Sequence, residues 1–369
     1  MSNKSKIALF LPSLRGGGAE RMMVHLARGF VERGLNVDIV LAKAEGPYLS
    51  LVPSEVRIID LKASRVLLAF PGLVRFLRKE RPVVLLSTLD HANIVALLAK
   101  LLSKVSTRVV IRLAGTISTG LRNSFSIKKI LSFYLLKYCN SWFDGIIAVS
   151  NGVANDYAEA TGIARERIKV IYNPVVTPEL FLQSEEPVKH PWFTDGSPPV
   201  ILGVGRLTVQ KDFTTLIKAF SIVRKHRLTR LIILGEGEQR TKLEALVQEL
   251  GLKDDVSMPG FVDNPFSYMS NASVFVLSSL WEGLPNVLIQ AMACGCPVVS
   301  TDCPSGPAEI LENGKWGKLV PVGDAEALAV AVENILDESN LPDVIQRAKD
   351  FALYKAVDRY LELLLIEDK

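Results

Sequence analysis

An alternation of short apolar runs with helix-period stretches extends through the whole chain and limits the fold more than any other feature. Lys6–Leu11, Asn36–Ala42, Val56–Leu61, Val83–Ser87, Arg108–Leu113 and Gly145–Ser150 each read as a buried strand, with amphipathic stretches between them. Val200–Val204, Arg230–Leu234, Val256–Pro259, Val274–Leu277 and Pro297–Ser300 repeat the pattern. A strand followed by a helix rejoins its sheet in parallel, and a parallel sheet is covered on both faces, so each half is predicted to be a doubly wound α/β domain. Between them Val175–Pro199 is polar and carries five prolines, the composition of a connection. The expected organisation is a Rossmann-like domain over 1–175, a linker over 176–198, a second Rossmann-like domain over 199–348, and a C-terminal helix over 349–369 that packs back on the first domain. At 369 residues the chain is long enough for two cores.

Glycine turns follow the first strand of each half. Arg15-Gly16-Gly17-Gly18-Ala19-Glu20 follows Leu11, and Gly205-Arg206 with Lys211 five residues later follows Val204. Glycine lets backbone come close to a ligand at a strand's carboxyl end. Neither turn has the G-x-G-x-x-G spacing, which makes a nicotinamide oxidoreductase a poor reading.

The net charge of +4 conceals an asymmetry: residues 1–174 hold 25 Lys/Arg against 12 Asp/Glu, leaving 18 against 27 for the rest. A basic first half suits an anionic partner, and on charge alone phospholipid headgroups, a diphosphate-bearing lipid and nucleic acid all qualify. Ser64–Arg81 and Leu121–Trp142 mix Leu, Phe, Ile and Tyr with Arg and Lys and have almost no acid. Such stretches lie in the headgroup layer of a membrane or serve as core-facing helices with a basic outer side; the charge of the half favours the membrane surface. No apolar run approaches the roughly 18 residues of a membrane span. The opening MSNKSKIALFLPSLRGGG reads as a first strand rather than a signal peptide. Cys139, Cys294, Cys296 and Cys303 lack zinc-site spacing and read as small buried thiols in a reducing cytosol.

Chemistry concentrates in Ser278–Pro297, SSLWEGLPNVLIQAMACGCP. An isolated acid, Glu282, precedes Gly283, Leu284 and Pro285, and Pro285 suits the start of a helix whose first amides are free to meet a polar ligand or an anion. Arg206 and Lys211 stand beyond a strand end of the same half; a guanidinium gives forked hydrogen bonds to a phosphate and an ammonium a point charge. Elsewhere, Glu309 follows a Gly-Pro turn and either faces a ligand cleft or stabilises a helix start, the second being favoured.

The set of GGGAE, GVGRLTVQKDF, GEGEQR, PGFVDN (259–264) and SSLWEGLPNVLIQAMACGCPVV resembles the retaining glycosyltransferases of family 4, over nearly the whole chain. The resemblance implies the GT-B fold, two Rossmann-like doubly wound domains facing each other across a cleft, with the donor nucleotide sugar on the second domain and the acceptor on the first. It implies that Arg206 and Lys211 hold the diphosphate and stabilise its growing charge, that Glu282 orients the donor sugar's hydroxyls with backbone help from Gly283 and Leu284, and that backbone near Phe261 and Val262 meets the base. Gly16, Gly17 and Gly18 approach the donor from the opposite wall. Position 290, expected to meet the ribose, is Gln290 where the E-x7-E signature has its second Glu. Many members have a His after the strand that here ends Arg112-Leu113, and this chain has none; His91 is a candidate to line the cleft, with a purely structural role as the equal alternative. The expected reaction is metal-independent and needs no cofactor: front-face transfer of a hexosyl or N-acetylhexosaminyl group, from a nucleotide sugar that is UDP-linked, to a lipid-linked or saccharide acceptor in surface polysaccharide or glycan synthesis. The protein is expected in the cytoplasm, peripheral at the anionic inner face of the membrane, without nucleic acid as a partner. The alternatives are a transferase with a soluble acceptor and a catalytically weak sugar-nucleotide-binding module.

Overall fold

The computed structural model describes residues 6–122 and 127–365, with side chains outside 120–132, and divides into two compact units, Met1–Pro174 with Leu353–Lys369 and Val175–Ala352. Each unit is built on one wholly parallel sheet.

Unit 1 contains β1 (Lys6–Leu11), β2 (Asn36–Leu41), β3 (Arg57–Asp60), β4 (Val84–Thr88), β5 (Arg108–Leu113), β6 (Gly145–Ala148) and β7 (Ile168–Val170), in the order β3-β2-β1-β4-β5-β6-β7. The central strands are mostly apolar because both faces are covered, and β1 runs Ile7, Ala8, Leu9, Phe10, Leu11 with no exposed residue, whereas the edge strand β3 is Arg-Ile-Ile-Asp and mostly exposed. On one face Ile7, Leu9, Leu86, Val110 and Ile147 meet helix Gly18–Glu32 and the C-terminal helix Leu353–Leu364. Those two helices touch at Gly29, where a Cβ would stand 2.2 Å from Val357 Cγ2, and at the edge-to-face pair Phe30–Tyr360.

Unit 2 contains β8 (Val200–Val204), β9 (Arg230–Leu234), β10 (Val256–Gly260), β11 (Val274–Leu277), β12 (Val298–Thr301) and β13 (Lys318–Val320), in the order β10-β9-β8-β11-β12-β13. Ile201, Leu231, Ile233, Val276 and Val299 pack with Phe220 of helix Phe213–His226. The strand order reverses between β8 and β11, and in an open parallel sheet the crevice at such a reversal is where ligands bind.

The proline-rich stretch 175–199 folds onto unit 2. Val175 and Val176 both donate to Phe351 O, at 3.1 and 3.0 Å. Helix Pro178–Ser184 packs on helix Pro265–Asn271, and Asn264 Nδ2 donates to Gln183 O at 2.7 Å. Further on, His190, Phe193 and Tyr268 form an edge-to-face ring cluster, and the Arg230 guanidinium lies 5.1 Å from the Trp192 ring centroid. Polar residues and prolines mark a short helix and a turn here, and the aromatic residues among them supply the adhesion.

Candidate functional site

The loop leaving β8 and the loop leaving β11 meet at the reversal in unit 2. After β8 the chain runs through Gly205 and Arg206 to a 3-10 turn, Val209–Lys211, and Asp212 then caps helix Phe213–His226 by accepting from Thr215 N at 3.3 Å. After β11 it runs Ser278–Pro285 into helix Asn286–Ala293. Backbone and side chain tie the loops together: Leu280 N donates to Gln210 O and Gln210 Nε2 to Trp281 O, each at 2.8 Å, and Ser278 Oγ donates to Lys211 O at 2.8 Å.

These ties bring two sequence-expected residues into contact. Lys211 Nζ donates to Glu282 Oε1 at 2.6 Å, and Ser279 Oγ donates to the same oxygen at 2.7 Å. Gly205 leaves room for the lysine stem; a Cβ there would lie 3.2 Å from Lys211 Cε. Glu282 is 8% exposed, and a carboxylate this buried is retained only when its charge is met, which Lys211 and Ser279 do. Its Oε2 has no partner among the described residues and is left for a ligand's hydroxyl. Cys303 lies within the field of Glu282: burial first, and then that carboxylate, push its thiol up to about 12, so it is a small neutral group in the wall.

Arg206 is exposed and makes no side-chain hydrogen bond or ion pair among the described residues, so its guanidinium is available to an anion. Gln290 is buried in the second turn of helix Asn286–Ala293. Phe261 follows β10 and is 77% exposed, with Val262 half-buried beside it. An aromatic ring left so open in a folded domain is a ready stacking surface. Glu309 stands in the first turn of the short helix Pro307–Ile310.

In unit 1 the amides of Gly16 and Gly17 donate to Glu20 Oε2 at 2.8 and 2.9 Å. The chain's own carboxylate therefore caps the glycine turn, a role the sequence marks by Glu three residues after the Gly17 that precedes helix Gly18–Glu32. Gly16 holds φ +114, which favours glycine. His91 lies in the first turn of helix Asp90–Ser103, solvent-accessible; desolvation lowers its pKa and Asp90 acts in the opposite direction. Arg112 is buried at the end of β5 and donates to Thr88 Oγ1 and Asn173 Oδ1. Among the described residues no group of three or more His, Cys, Asp or Glu has a metal-binding arrangement.

Comparison with known proteins extends over the whole chain. The family described as "Glycosyltransferase Family 4" matches residues 16–178, and that described as "Glycosyl transferases group 1" matches residues 184–350. A glycosyltransferase of Methanocaldococcus jannaschii is 31% identical, covering 80% of this chain and 82% of its own. The N-acetylgalactosamine-N,N'-diacetylbacillosaminyl-diphospho-undecaprenol 4-alpha-N-acetylgalactosaminyltransferase of Campylobacter jejuni is 29% identical over 98% of this chain and 99% of its own. Among solved structures, HepE of Anabaena in complex with UDP-glucose superposes with a TM-score of 0.79 at 22% identity, covering 97% of this chain and 99% of that one.

Proposed function

We propose, from the premise that this chain belongs to the family 4 glycosyltransferases of GT-B fold, that it moves a hexosyl or N-acetylhexosaminyl group from a UDP-sugar to a lipid-linked saccharide with retention at the anomeric carbon. The observation that carries this reading is the buried Glu282, with one oxygen held by Lys211 and Ser279 and the other open, in the unit whose β8 loop also carries the exposed Arg206, without a side-chain partner among the described residues. Glu282 Oε2 accepts from a hydroxyl of the donor sugar and fixes the ring; Arg206 and Lys211 face the diphosphate and stabilise the charge that grows as the sugar leaves. The bond between the anomeric carbon and the diphosphate oxygen breaks, the acceptor oxygen bonds to that carbon on the same face, and the acceptor's proton passes to the departing phosphate oxygen. Cationic side chains thus supply what a metal ion would, and the reaction needs no cofactor. Gln290 takes the ribose through its amide oxygen, and Phe261 and Val262 border the base. On unit 1, Gly16 to Gly18, whose first two amides already meet Glu20, and His91 are the candidate contacts to substrate.

The printed activity of the Campylobacter relative supports a diphospho-undecaprenol-linked acceptor, and the UDP-glucose bound in the Anabaena structure supports a UDP donor. Protection against thermal unfolding by UDP-, GDP- and ADP-sugars tests the donor: UDP-sugars are expected to raise the midpoint by several degrees, with or without EDTA. Protection by GDP- or ADP-sugars alone overturns the donor assignment, and loss of turnover in EDTA restored by Mg2+ overturns the metal-free scheme.

The same reading places the protein at the cytoplasmic face of the membrane, peripherally. Among the described residues no helix is long and apolar enough to cross a membrane. In Ser64–Arg81, Leu73, Val74, Phe76 and Leu77 face the core, while Leu67 and Leu68 are 68% and 61% exposed. On the same unit Lys62, Arg75 and Lys79, with Asp60 and the paired Arg57 and Glu80, border a cavity of about 430 Å3 between β3 and helix Phe70–Glu80, and apolar insertion with cationic attraction is how a protein holds to an anionic bilayer. In Leu121–Trp142, residues 123–126 lie outside the described residues; Tyr138 and Trp142 are exposed. Flotation with vesicles containing phosphatidylglycerol is expected, and with pure phosphatidylcholine is not; Leu67→Ser with Leu68→Ser lowers the floated fraction several-fold. Equal flotation of that variant and wild type removes this face from membrane contact, and absence of flotation on either vesicle favours a soluble acceptor.

A further inference from the structure

The loop after β12 is bound to the Glu282 loop at a strained position, Ser305 and Gly306. Ser305 has φ +67, the left-handed region that residues with a Cβ avoid, and Gly306 follows with φ +105. A Cβ on Gly306 would lie 2.5 Å from Pro285 Cδ and 3.2 Å from Gly283 O, so the two backbones are in contact. Two hydrogen bonds join them: Glu282 N donates to Pro304 O at 3.2 Å, and Ser305 Oγ donates to Gly283 O at 2.8 Å.

The second bond fixes more than a carbonyl. Peptide 283–284 is trans, and in a trans peptide the C=O and the following N–H point in opposite directions. With the Gly283 carbonyl turned to Ser305, the Leu284 N–H is aimed away from the Ser305 loop. Leu284 is 6% exposed and its N–H has no hydrogen-bond partner among the described residues. Buried backbone donors are nearly always paired, so an aimed, unpaired one in the wall of a site implies a ligand atom. A phosphate is disfavoured two residues from the Glu282 carboxylate; a sugar presents vicinal hydroxyls, one donating to Glu282 Oε2 and its neighbour accepting through oxygen.

We propose that Ser305 is a positioning residue that, by holding the Gly283 carbonyl, aims the Leu284 N–H at a hydroxyl oxygen of the donor sugar. The proposal rests on unit 2 being the donor site. A glycine at 305 would relieve the backbone but lacks the donor hydroxyl, which gives the strain a function.

Ser305→Gly separates aiming from folding. Without ligand its thermal midpoint is expected to stay level or rise, since glycine suits φ +67, while hydrogen exchange at Leu284, resolved by mass spectrometry, speeds up about three-fold or more as the peptide is released. Binding is then measured for UDP and for UDP-glucose, UDP-galactose, UDP-N-acetylglucosamine and UDP-N-acetylgalactosamine. The wild type's preference for its best UDP-sugar over UDP is expected to shrink about five-fold in the variant, the effect of one lost hydrogen bond, with UDP affinity held within about two-fold. Equal losses for UDP and UDP-sugar, or unchanged exchange at Leu284, overturn the proposal. If wild type binds no nucleotide sugar, the donor-site reading fails and the sugar as target fails with it, while the exchange result alone decides whether Ser305 fixes the peptide.

Discussion

Glu282→Ala is expected to reduce sugar transfer by about 10^2 to 10^3-fold, the scale on which removing one preorganised polar group from a transition-state site acts. Glu282 Oε1 is shared by Lys211 and Ser279, so the substitution also leaves the ammonium, on a side chain only 16% exposed, without its counter-charge. Stability of unit 2 should fall by about 2–3 kcal/mol, below the usual effect of breaking a fully buried pair because Lys211 keeps some water. Glu282→Gln divides the two effects. The amide oxygen still accepts from Lys211 and Ser279 but brings no counter-charge, so the loss of stability is about half that of the alanine variant, yet turnover falls nearly as far because no carboxylate orients the sugar. The checks are UDP release from the donor in the presence of acceptor, and chemical denaturation of each variant. A Glu282→Gln protein that keeps more than a tenth of wild-type turnover would remove the carboxylate's charge from the chemistry. Adding Lys211→Met to Glu282→Ala should recover stability but not activity, since a buried charge without a partner is worse than none.

The sequence carried the fold further than it carried the site. Apolar runs such as Ile7–Leu11 and Leu231–Leu234 show strands buried on both faces, and their alternation with helix-period stretches leaves only parallel sheets. β13 escaped because Lys-Leu-Val is too short to show a period and lies at the edge of its sheet. Within the site, Glu282 and Lys211 were legible as residue types beyond strand ends, but their contact joins positions 71 apart, which only the reversal of strand order brings about. Ser279, Gln210 and Ser305 were not legible: hydroxyls and amides are common in loops, and their roles come from which oxygen each one reaches. The glycine turn in unit 1 reads as open amides until Glu20, three residues beyond Gly17, is seen to fill them.

Gly235→Ala is expected to have the largest effect on folding of any single methyl added to unit 2. Gly235 directly follows β9 with φ +136, where residues bearing a Cβ rarely stand, and a Cβ there would fall 1.9 Å from Gly205 O and 2.9 Å from Gly205 C. Neither atom can rotate away, because both are backbone and both strands are held: Gly235 N donates to Gly260 O at 2.8 Å and Gly205 N to Leu234 O at 2.9 Å. Three strand ends, β8, β9 and β10, are therefore locked together at glycines, and relief of the clash must move one of them. A loss of about 3 kcal/mol or more follows, lowering the unit 2 unfolding midpoint by roughly 10 °C. Nucleotide binding should weaken even where the variant folds, because the displaced carbonyl is that of Gly205 and the next residue is Arg206. Gly251→Ala is the control for glycine itself: it too has positive φ, +69, but a Cβ meets nothing within 4 Å, so only the backbone preference, about 1 kcal/mol, is lost. Comparable midpoints for the two variants would show that the strand ends have slack, and the rigid seat assigned to Arg206 would go with it.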